Sequence, residues 1–181
     1  MTTQRRPNSI TLLTVSEVDA RIRELAAEID QRFQDSDPPV LVVTIKNGGV
    51  WFAARLLRYT LGRYDTDSVR ASSYGYGRRA GTVELLESTR NPVENRVVLL
   101  VDDVIDSGET LRTVRKLLLK HGALNVYSAV LVSKRRPRVV VGAVAPDFVG
   151  FELGNEWIYG CGMDLDNDDY RTLPELRAVV E

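Results

Sequence analysis

The sequence has one cysteine and one histidine among its 181 residues. A single cysteine, Cys161, excludes an intrachain disulfide and, with a single histidine, argues against a structural zinc site. We therefore expect a protein of the reducing cytoplasm. Cys161 is interpreted as a packing residue and His121 as a residue at a helix end, where the helix dipole favours a positive charge.

The sequence also lacks an excess of charge of either sign and lacks long apolar runs. The formal net charge is -1, with 24 Lys and Arg against 25 Asp and Glu, so charge gives no indication of a nucleic-acid partner. No apolar run reaches the length of a membrane span, and the first residues lack the apolar core of a secretory signal. The length fits one domain over residues 1–181, with a loose tail at 1–9.

What the sequence does contain is an alternation of short apolar segments with amphipathic ones. The pattern predicts strands at 40–45, 69–74, 83–87, 97–101, 126–132, 148–151 and 157–159. It predicts helices at about 16–34, at about 50–61 and from Leu111 to a stop at Gly122, with a capping-box-like start at 16–19. Apolar strands alternating with helices predict an α/β fold with a central, mostly parallel twisted sheet flanked by helices.

The most informative segment follows the apolar strand at 97–101. Three carboxylates and a glycine-bearing helix start come directly after it: Asp102, Asp103, Asp106, Ser107, Gly108, Glu109 and Thr110. Such a helix start offers backbone N–H groups and hydroxyls to a phosphate. Because like charges repel, the paired acids indicate sugar hydroxyls or magnesium rather than the phosphate itself. The alternative is a polar turn that solvates the end of a core strand.

This segment resembles the phosphoribosyl pyrophosphate motif of the type I phosphoribosyltransferases. Further segments, in the same order as in that family, resemble its hypoxanthine-guanine branch. They are the segments 45–49, 71–75, 133–135, 146–152 and 157–160, followed by Asp164 and by Tyr170 with Arg171. The resemblance covers about residues 16–175 of the chain.

The resemblance implies a phosphoribosyltransferase fold with three parts. The core spans about residues 16–134, a small C-terminal hood spans about 135–175, and a mobile lid loop contains Ser73 and Tyr74. It also implies a non-proline cis peptide bond at Ile45–Lys46, beside the pyrophosphate.

The resemblance assigns the sugar and phosphate groups to separate residues. Residues 106–110 would bind the 5-phosphate, Asp102 and Asp103 the ribose hydroxyls, and Asp106 would act as catalytic base toward the purine N7. The residues implied for pyrophosphate are Lys46, Asn47, Gly48 and Arg171. Taken alone, a lysine after a strand is more often a solvated charge.

The purine and the metal are assigned in the same way. Lys134 would donate to the purine O6, Trp157 would stack on the base, and Ile158 would offer main-chain groups. Taken alone, a tryptophan is more often a core residue. Asp164 would lie near both the base and a magnesium ion, and the residues implied for Mg²⁺ are Asp102, Asp103 and Asp164.

Three features depart from the family pattern. Asp102 stands where this branch usually has glutamate, Glu109 places a negative side chain inside the phosphate loop, and the stretch at 165–171 is one residue longer. Glu109 is compatible with phosphate binding only if its carboxylate points away.

The expected function is purine salvage. The enzyme would transfer the 5-phosphoribosyl group from phosphoribosyl pyrophosphate to N9 of a 6-oxopurine, as a homodimer or homotetramer that needs Mg²⁺. One alternative is a non-catalytic regulator that senses phosphoribosyl pyrophosphate, which the ordinary charge and length disfavour. Another is a pyrimidine-type transferase, which Lys134 with Trp157 and Asp164 disfavours.

Overall fold

The computed structural model describes residues 8–74, 82–135, 145–165 and 169–180, with only the backbone described at 72–74 and 82–87. Most of the predicted lid loop and part of the predicted hood lie outside the described residues. Within the described part of the chain, no helix is both long and apolar enough to cross a membrane.

Nine strands and three helices make up the described fold. In chain order they are β1 (Ser9–Leu13), α1 (Val15–Phe33), β2 (Val40–Lys46), α2 (Gly49–Tyr59), β3 (Tyr64–Tyr74), β4 (Thr82–Glu87), β5 (Val97–Ile105), α3 (Glu109–Lys120), β6 (Asn125–Lys134), β7 (Phe148–Leu153), β8 (Ile158–Tyr159) and β9 (Leu176–Val179).

The main sheet has the strand order β4-β3-β2-β5-β6-β7. Five of its strands, β3-β2-β5-β6-β7, run parallel, and β4 pairs antiparallel with β3 at one edge. The α/β fold with a mostly parallel sheet is therefore confirmed. Because its strands are parallel, β2, β5 and β6 end side by side at one edge of the sheet.

The core lies on both faces of this sheet. Along β5, Leu99 and Val101 pack on the side of α1 and α2, while Val98 and Leu100 pack on the side of α3. Successive strand residues point to opposite faces, so a strand buried on both sides is apolar at every position. This explains why β2, β5 and β6 were recognisable as continuous apolar runs.

A second sheet has three strands in the order β1-β9-β8. Both of its pairings are antiparallel. We call this sheet and the described segment between β8 and β9 the hood; it differs from the predicted hood at about 135–175, because β7 in that range belongs to the main sheet. Neither β1 nor β9 was predicted, and β1 begins at Ser9, the last residue of the predicted tail. β1 has five residues and β9 has four, so each strand offers little length in which an alternating pattern can be recognised.

Two local predictions were wrong. The capping box of α1 is formed by Thr14 and Glu17, in place of residues 16–19: the Glu17 N–H donates to the Thr14 hydroxyl over 3.4 Å, and the Thr14 N–H donates to the Glu17 carboxylate over 2.7 Å. Since β1 was missed, the helix start was placed too late. The non-proline cis peptide bond lies at Lys46–Asn47, one bond after the predicted Ile45–Lys46, and side-chain pattern carries no signal for its position.

Candidate active site

A cleft lies where β2, β5 and β6 end and the hood begins. It has a volume of about 320 Å³. Ten of the predicted site residues line it: Lys46, Gly48, Asp102, Asp103, Asp106, Lys134, Trp157, Ile158, Asp164 and Arg171. A smaller depression of about 120 Å³ adjoins it through Asp102 and Asp106, and the whole predicted phosphate loop, residues 106–110, lines that depression.

Two further residues line the cleft that the sequence reasoning missed, Val104 and Met163. Val104 shares one face of β5 with Asp102, since residues two apart on a strand point the same way, and this period could have identified it. Of the remaining predictions, Asn47 is not among the residues that line the cleft. Ser73 and Tyr74 belong to β3, but their side chains lie outside the described part of the structure.

The phosphate loop is formed by a left-handed glycine at a helix start. Gly108 is the N-cap of α3 with φ of 81°, a conformation that side chains other than glycine disfavour. The Glu109 N–H donates to the Ser107 hydroxyl over 3.3 Å. As a glycine, the N-cap supplies no side-chain oxygen to the first amides of the helix. This end of α3 therefore presents the positive pole of the helix dipole to an anion.

The carboxylate of Glu109 turns away from this loop and along the helix. It forms an ion pair with Arg112 and accepts a hydrogen bond from the Thr113 hydroxyl over 3.5 Å. The hydrogen bond from Arg112 holds the pKa of Glu109 below its usual value. The Glu109 carboxylate therefore points away from the loop, as phosphate binding requires, and the Arg112 charge offsets it.

Two adjacent acids at the end of β5, Asp102 and Asp103, lie where burial disfavours their charged forms. Asp103 is 8% exposed, and Asp102 is half-buried and lines the cleft. Burial, followed by the negative charge of Asp103, raises the pKa of Asp102 well above its usual value. Burial also raises the pKa of Asp103, while the Val104 N–H, at 2.7 Å, and the Arg171 charge oppose that shift.

Glycines allow the β2 loop to approach these acids. A Cβ atom at Gly48 would lie 1.9 Å from Oδ2 of Asp103, and one at Gly49 would lie 2.9 Å from the Val101 carbonyl oxygen. Both distances are shorter than real Cβ contacts. The loop that follows Lys46 is thus packed directly on the end of β5: a side chain at Gly49 would clash with the backbone, and one at Gly48 would displace the Asp103 carboxylate.

Arg171 enters the cleft from the hood. Its Nη1 donates to the Gly162 carbonyl over 2.7 Å, and its Nη2 lies 2.9 Å from Oδ1 of Asp164. Gly162 has φ of 104°, and a Cβ there would lie 2.3 Å from the Gly48 carbonyl oxygen. The turn that carries Asp164 therefore rests on the β2 loop and brings a cation next to the acid pair.

The opposite end of the cleft combines an aromatic side chain with a fixed backbone. Trp157 is 54% exposed and Ile158 is 6% exposed. The Val179 N–H donates to the Trp157 carbonyl over 2.9 Å, and Ile158 pairs with Ala178 of β9. An exposed indole on an anchored strand offers a flat apolar surface to a planar ligand, with the Lys134 ammonium lining the same cleft.

The donor set fits a hard divalent cation only in part. Among the described residues, no three His, Cys, Asp or Glu side chains come together as a metal site. However, the cleft is lined by the carboxylates of Asp102, Asp103 and Asp164, and such oxygens are the ligands that Mg²⁺ prefers. Burial raises the pKa of both paired acids, and the Arg171 charge opposes that shift only at Asp103. Magnesium would therefore be held jointly by these oxygens and by a ligand's own.

Together, the fold and the site define an α/β protein that binds a phosphorylated ligand at the carboxyl edge of a parallel sheet. Residues 12–165 match the phosphoribosyl transferase domain. The hypoxanthine-guanine phosphoribosyltransferase of Lactococcus lactis is 34% identical over 164 residues, which cover 90% of this chain and 86% of that protein. The hypoxanthine phosphoribosyltransferase of Escherichia coli is 32% identical over 170 residues, covering 93% and 94%.

Solved structures agree with these relatives. A crystal structure of a hypoxanthine-guanine phosphoribosyltransferase from Bacillus anthracis has a TM-score of 0.86 at 29% identity, covering 97% of this chain and 99% of that one. The hypoxanthine phosphoribosyl transferase of Trypanosoma cruzi has a TM-score of 0.88 at 26% identity, covering 98% and 94%. The chain belongs to the phosphoribosyltransferase family, in the branch of the hypoxanthine and hypoxanthine-guanine enzymes.

The acid pair generates a prediction about stability. Between the usual pKa of 3.8 and the raised pKa of Asp102, the folded protein binds more protons than the unfolded chain, so stability falls as pH rises. Asp102→Asn removes one of the two charges, and its Oδ1 can still accept the Asp103 N–H, now at 3.0 Å. We expect a higher Tm at pH 8, by at least about 2–4 °C, the shift for 1 kcal/mol in a chain of this size.

The measurement is thermal unfolding of both proteins in magnesium-free buffer from pH 4 to pH 8. The difference should shrink toward pH 4, because the raised pKa of Asp102 means that its carboxyl takes up a proton as the pH falls toward the usual value. Asp35→Asn, the same change at an exposed residue, serves as control and should leave Tm unchanged. A variant of Asp102 less stable than wild type at pH 8 would contradict the electrostatic argument.

Proposed function

We propose that this chain transfers the 5-phosphoribosyl group from phosphoribosyl pyrophosphate to N9 of a 6-oxopurine, releasing pyrophosphate and a nucleoside monophosphate. One observation carries the proposal. A cleft and the depression that adjoins it bring together a helix start suited to an anion, an acid pair, three cationic side chains and an exposed indole. These are the features that a phosphorylated sugar, a pyrophosphate and a flat base require.

The sugar donor would bind along the edge of the sheet. The amides and hydroxyls at 106–110 hold the 5-phosphate, and Asp102 and Asp103 accept hydrogen bonds from the ribose hydroxyls. At the other side of the acids, the pyrophosphate meets positive charge. The groups that hold it are Lys46, the backbone at Asn47 and Gly48, and Arg171.

In the reaction, the bond from ribose C1 to the pyrophosphate oxygen breaks and the bond from C1 to N9 forms. Asp102, Asp103 or Asp164, together with oxygens of the ligand, would hold magnesium, which would supply positive charge to the pyrophosphate. Asp106 accepts the proton that leaves the purine N7 as N9 becomes bonded to the sugar. Ser73 and Tyr74 contribute to a lid that excludes water from the reacting carbon.

The base is selected by donors and by stacking. Lys134 donates to the purine O6, which favours an oxo group and disfavours adenine, whose amino group is itself a donor. Trp157 stacks on the ring, Ile158 offers main-chain groups to the base edge, and Asp164 lies beside it. Val104 and Met163 add the apolar contacts that line the same cleft.

The direct test is an absorbance assay with phosphoribosyl pyrophosphate, magnesium and one base at a time. Turnover with hypoxanthine, guanine or xanthine supports the proposal and ranks the three bases. Turnover only with orotate or uracil would identify a pyrimidine enzyme. Tight binding of phosphoribosyl pyrophosphate with no turnover on any base would identify a sensor of that compound.

A second test concerns the proton acceptor. Asp106→Asn keeps the shape of the side chain but cannot take the purine proton, and we expect kcat to fall about 10²–10⁴-fold, the usual contribution of general base catalysis. The KM for both substrates should change far less. Steady-state kinetics beside Asp35→Asn, which changes a carboxylate outside the cleft, makes the comparison. Unchanged kcat in Asp106→Asn would remove this role from Asp106.

A third test concerns the stacking surface. Trp157→Ala should weaken binding of the base about 5- to 150-fold, since stacking of a base on an aromatic ring contributes about 1–3 kcal/mol. Trp157→Phe keeps an aromatic ring and should bind the base nearly as wild type does. The KM for hypoxanthine, measured at saturating phosphoribosyl pyrophosphate, distinguishes them. Equal losses in the two variants would mean that the indole has another role.

We propose that the enzyme assembles as a homodimer or homotetramer. The Trypanosoma cruzi structure comes from work on the role of the C-terminal region in the oligomeric state and activity of that enzyme. In this chain, Val50 on α2 and Leu61 after it are 50% and 95% exposed. Sedimentation velocity should therefore give at least twice the chain mass of 20.3 kDa, and a monomer at assay concentration would contradict this.

A further inference from the structure

Arg171, the cation assigned to pyrophosphate, has partners within the described part of the hood. Nη1 of Arg171 donates to the Gly162 carbonyl over 2.7 Å, and Nη2 lies 2.9 Å from Oδ1 of Asp164. The two side chains thus meet in a bond between the residue assigned to pyrophosphate and a residue assigned to the metal and the base. A ligand that binds the charge of Arg171 has to compete with Asp164, and a ligand that binds the charge of Asp164 has to compete with Arg171.

The charge of Arg171 also acts beyond Asp164. Burial dominates the pKa of Asp103 and raises it, while the Arg171 charge is among the effects that lower it. Arg171 therefore lies within the electrostatic range of two of the three carboxylates assigned to magnesium. In this arrangement a protein cation supplies positive charge where the metal would supply it.

The ion pair is placed so that it can exchange partners. The side chains of Arg171 and Asp164 are 25% and 40% exposed, and pairs open to solvent contribute little net stability. A divalent ion, with twice the charge on a compact centre, competes well for a carboxylate. The bond to the Gly162 carbonyl does not involve Asp164, so it can keep the guanidinium near the cleft after the pair opens.

We propose that Asp164 exchanges Arg171 for magnesium, and that this exchange releases Arg171 to bind pyrophosphate. The inference rests on the proposed function, since it takes the metal and pyrophosphate assignments from it. Asp164 thereby acts as a counter-ion that makes the binding of metal and of pyrophosphate mutually supporting. By linkage, each ligand then raises the affinity for the other by the same factor.

The test is a double-mutant cycle on ligand binding. Inorganic pyrophosphate is titrated by calorimetry in the presence of EDTA into wild type, Asp164→Asn, Arg171→Gln and the double variant. Opening the pair should tighten metal-free binding of pyrophosphate to Asp164→Asn by about fivefold or more, the lower end of usual coupling energies. In the Arg171→Gln background, the same change at Asp164 should have no such effect, because there is no guanidinium to release.

Simple charge repulsion gives a different result. If Asp164 only repels the anion, Asp164→Asn tightens pyrophosphate binding equally in both backgrounds, and this outcome overturns the exchange. Asp169→Asn changes one charge in the same hood segment and controls for that general effect. A gain in Asp169→Asn that equals the gain in Asp164→Asn would also overturn it.

A second titration uses magnesium chloride alone. Arg171→Gln leaves Asp164 without its competing cation, so magnesium should bind this variant about fivefold or more tightly than wild type. Equal magnesium affinity in the two proteins overturns the inference while the proposed function stands. A wild-type protein that binds no pyrophosphate, with or without magnesium, overturns the inference and the proposed function together.

Discussion

Two neighbouring carboxylates at the end of a buried strand are the constraint on which the site depends. Asp102 and Asp103 repel each other in a place where burial already disfavours charge. Nearby groups compensate for this: the Val104 N–H bonds to Asp103, and Arg171 brings a positive charge from the hood. A ligand with hydroxyl donors, or a divalent cation, would complete the compensation, so the repulsion within the acid pair would favour such binding.

The order of the strands turns this pair into a site for three chemical groups. Because β5 lies between β2 and β6, the acids at its end lie between Lys46 and Lys134, which end the two neighbouring strands. Parallel pairing puts all three strand ends at one edge. The anionic leaving group and the oxo group of the base can therefore be bound on opposite sides of the sugar, by two lysines that are far apart in sequence.

The sequence allowed prediction of those strands and loops that are specified by the pattern of their own residues. The first five residues of β5, Val97–Val101, are all apolar, and the predicted phosphate loop has its residue types in consecutive order, so both could be recognised. The short strands β1 and β9 could not, because each is specified by its pairing with the other. The likeness to a family located the non-proline cis bond one residue too early, since neighbouring bonds in a glycine-rich loop carry no distinguishing side-chain signal.

The hood links the two ends of the described chain to Trp157, the residue proposed to stack on the base. β9 lies between β1 and β8, so β1 supports the strand that in turn pairs with Ile158 and bonds to the Trp157 carbonyl. The Tyr159 hydroxyl donates to the Ser9 hydroxyl over 2.7 Å, which links β8 to β1 directly. An indole that is more than half exposed owes little of its position to packing around its ring. Its place in the cleft is therefore set by this backbone. If Trp157 stacks on the base as proposed, any change that frays β1 should weaken binding of the base before it weakens binding of the sugar phosphate.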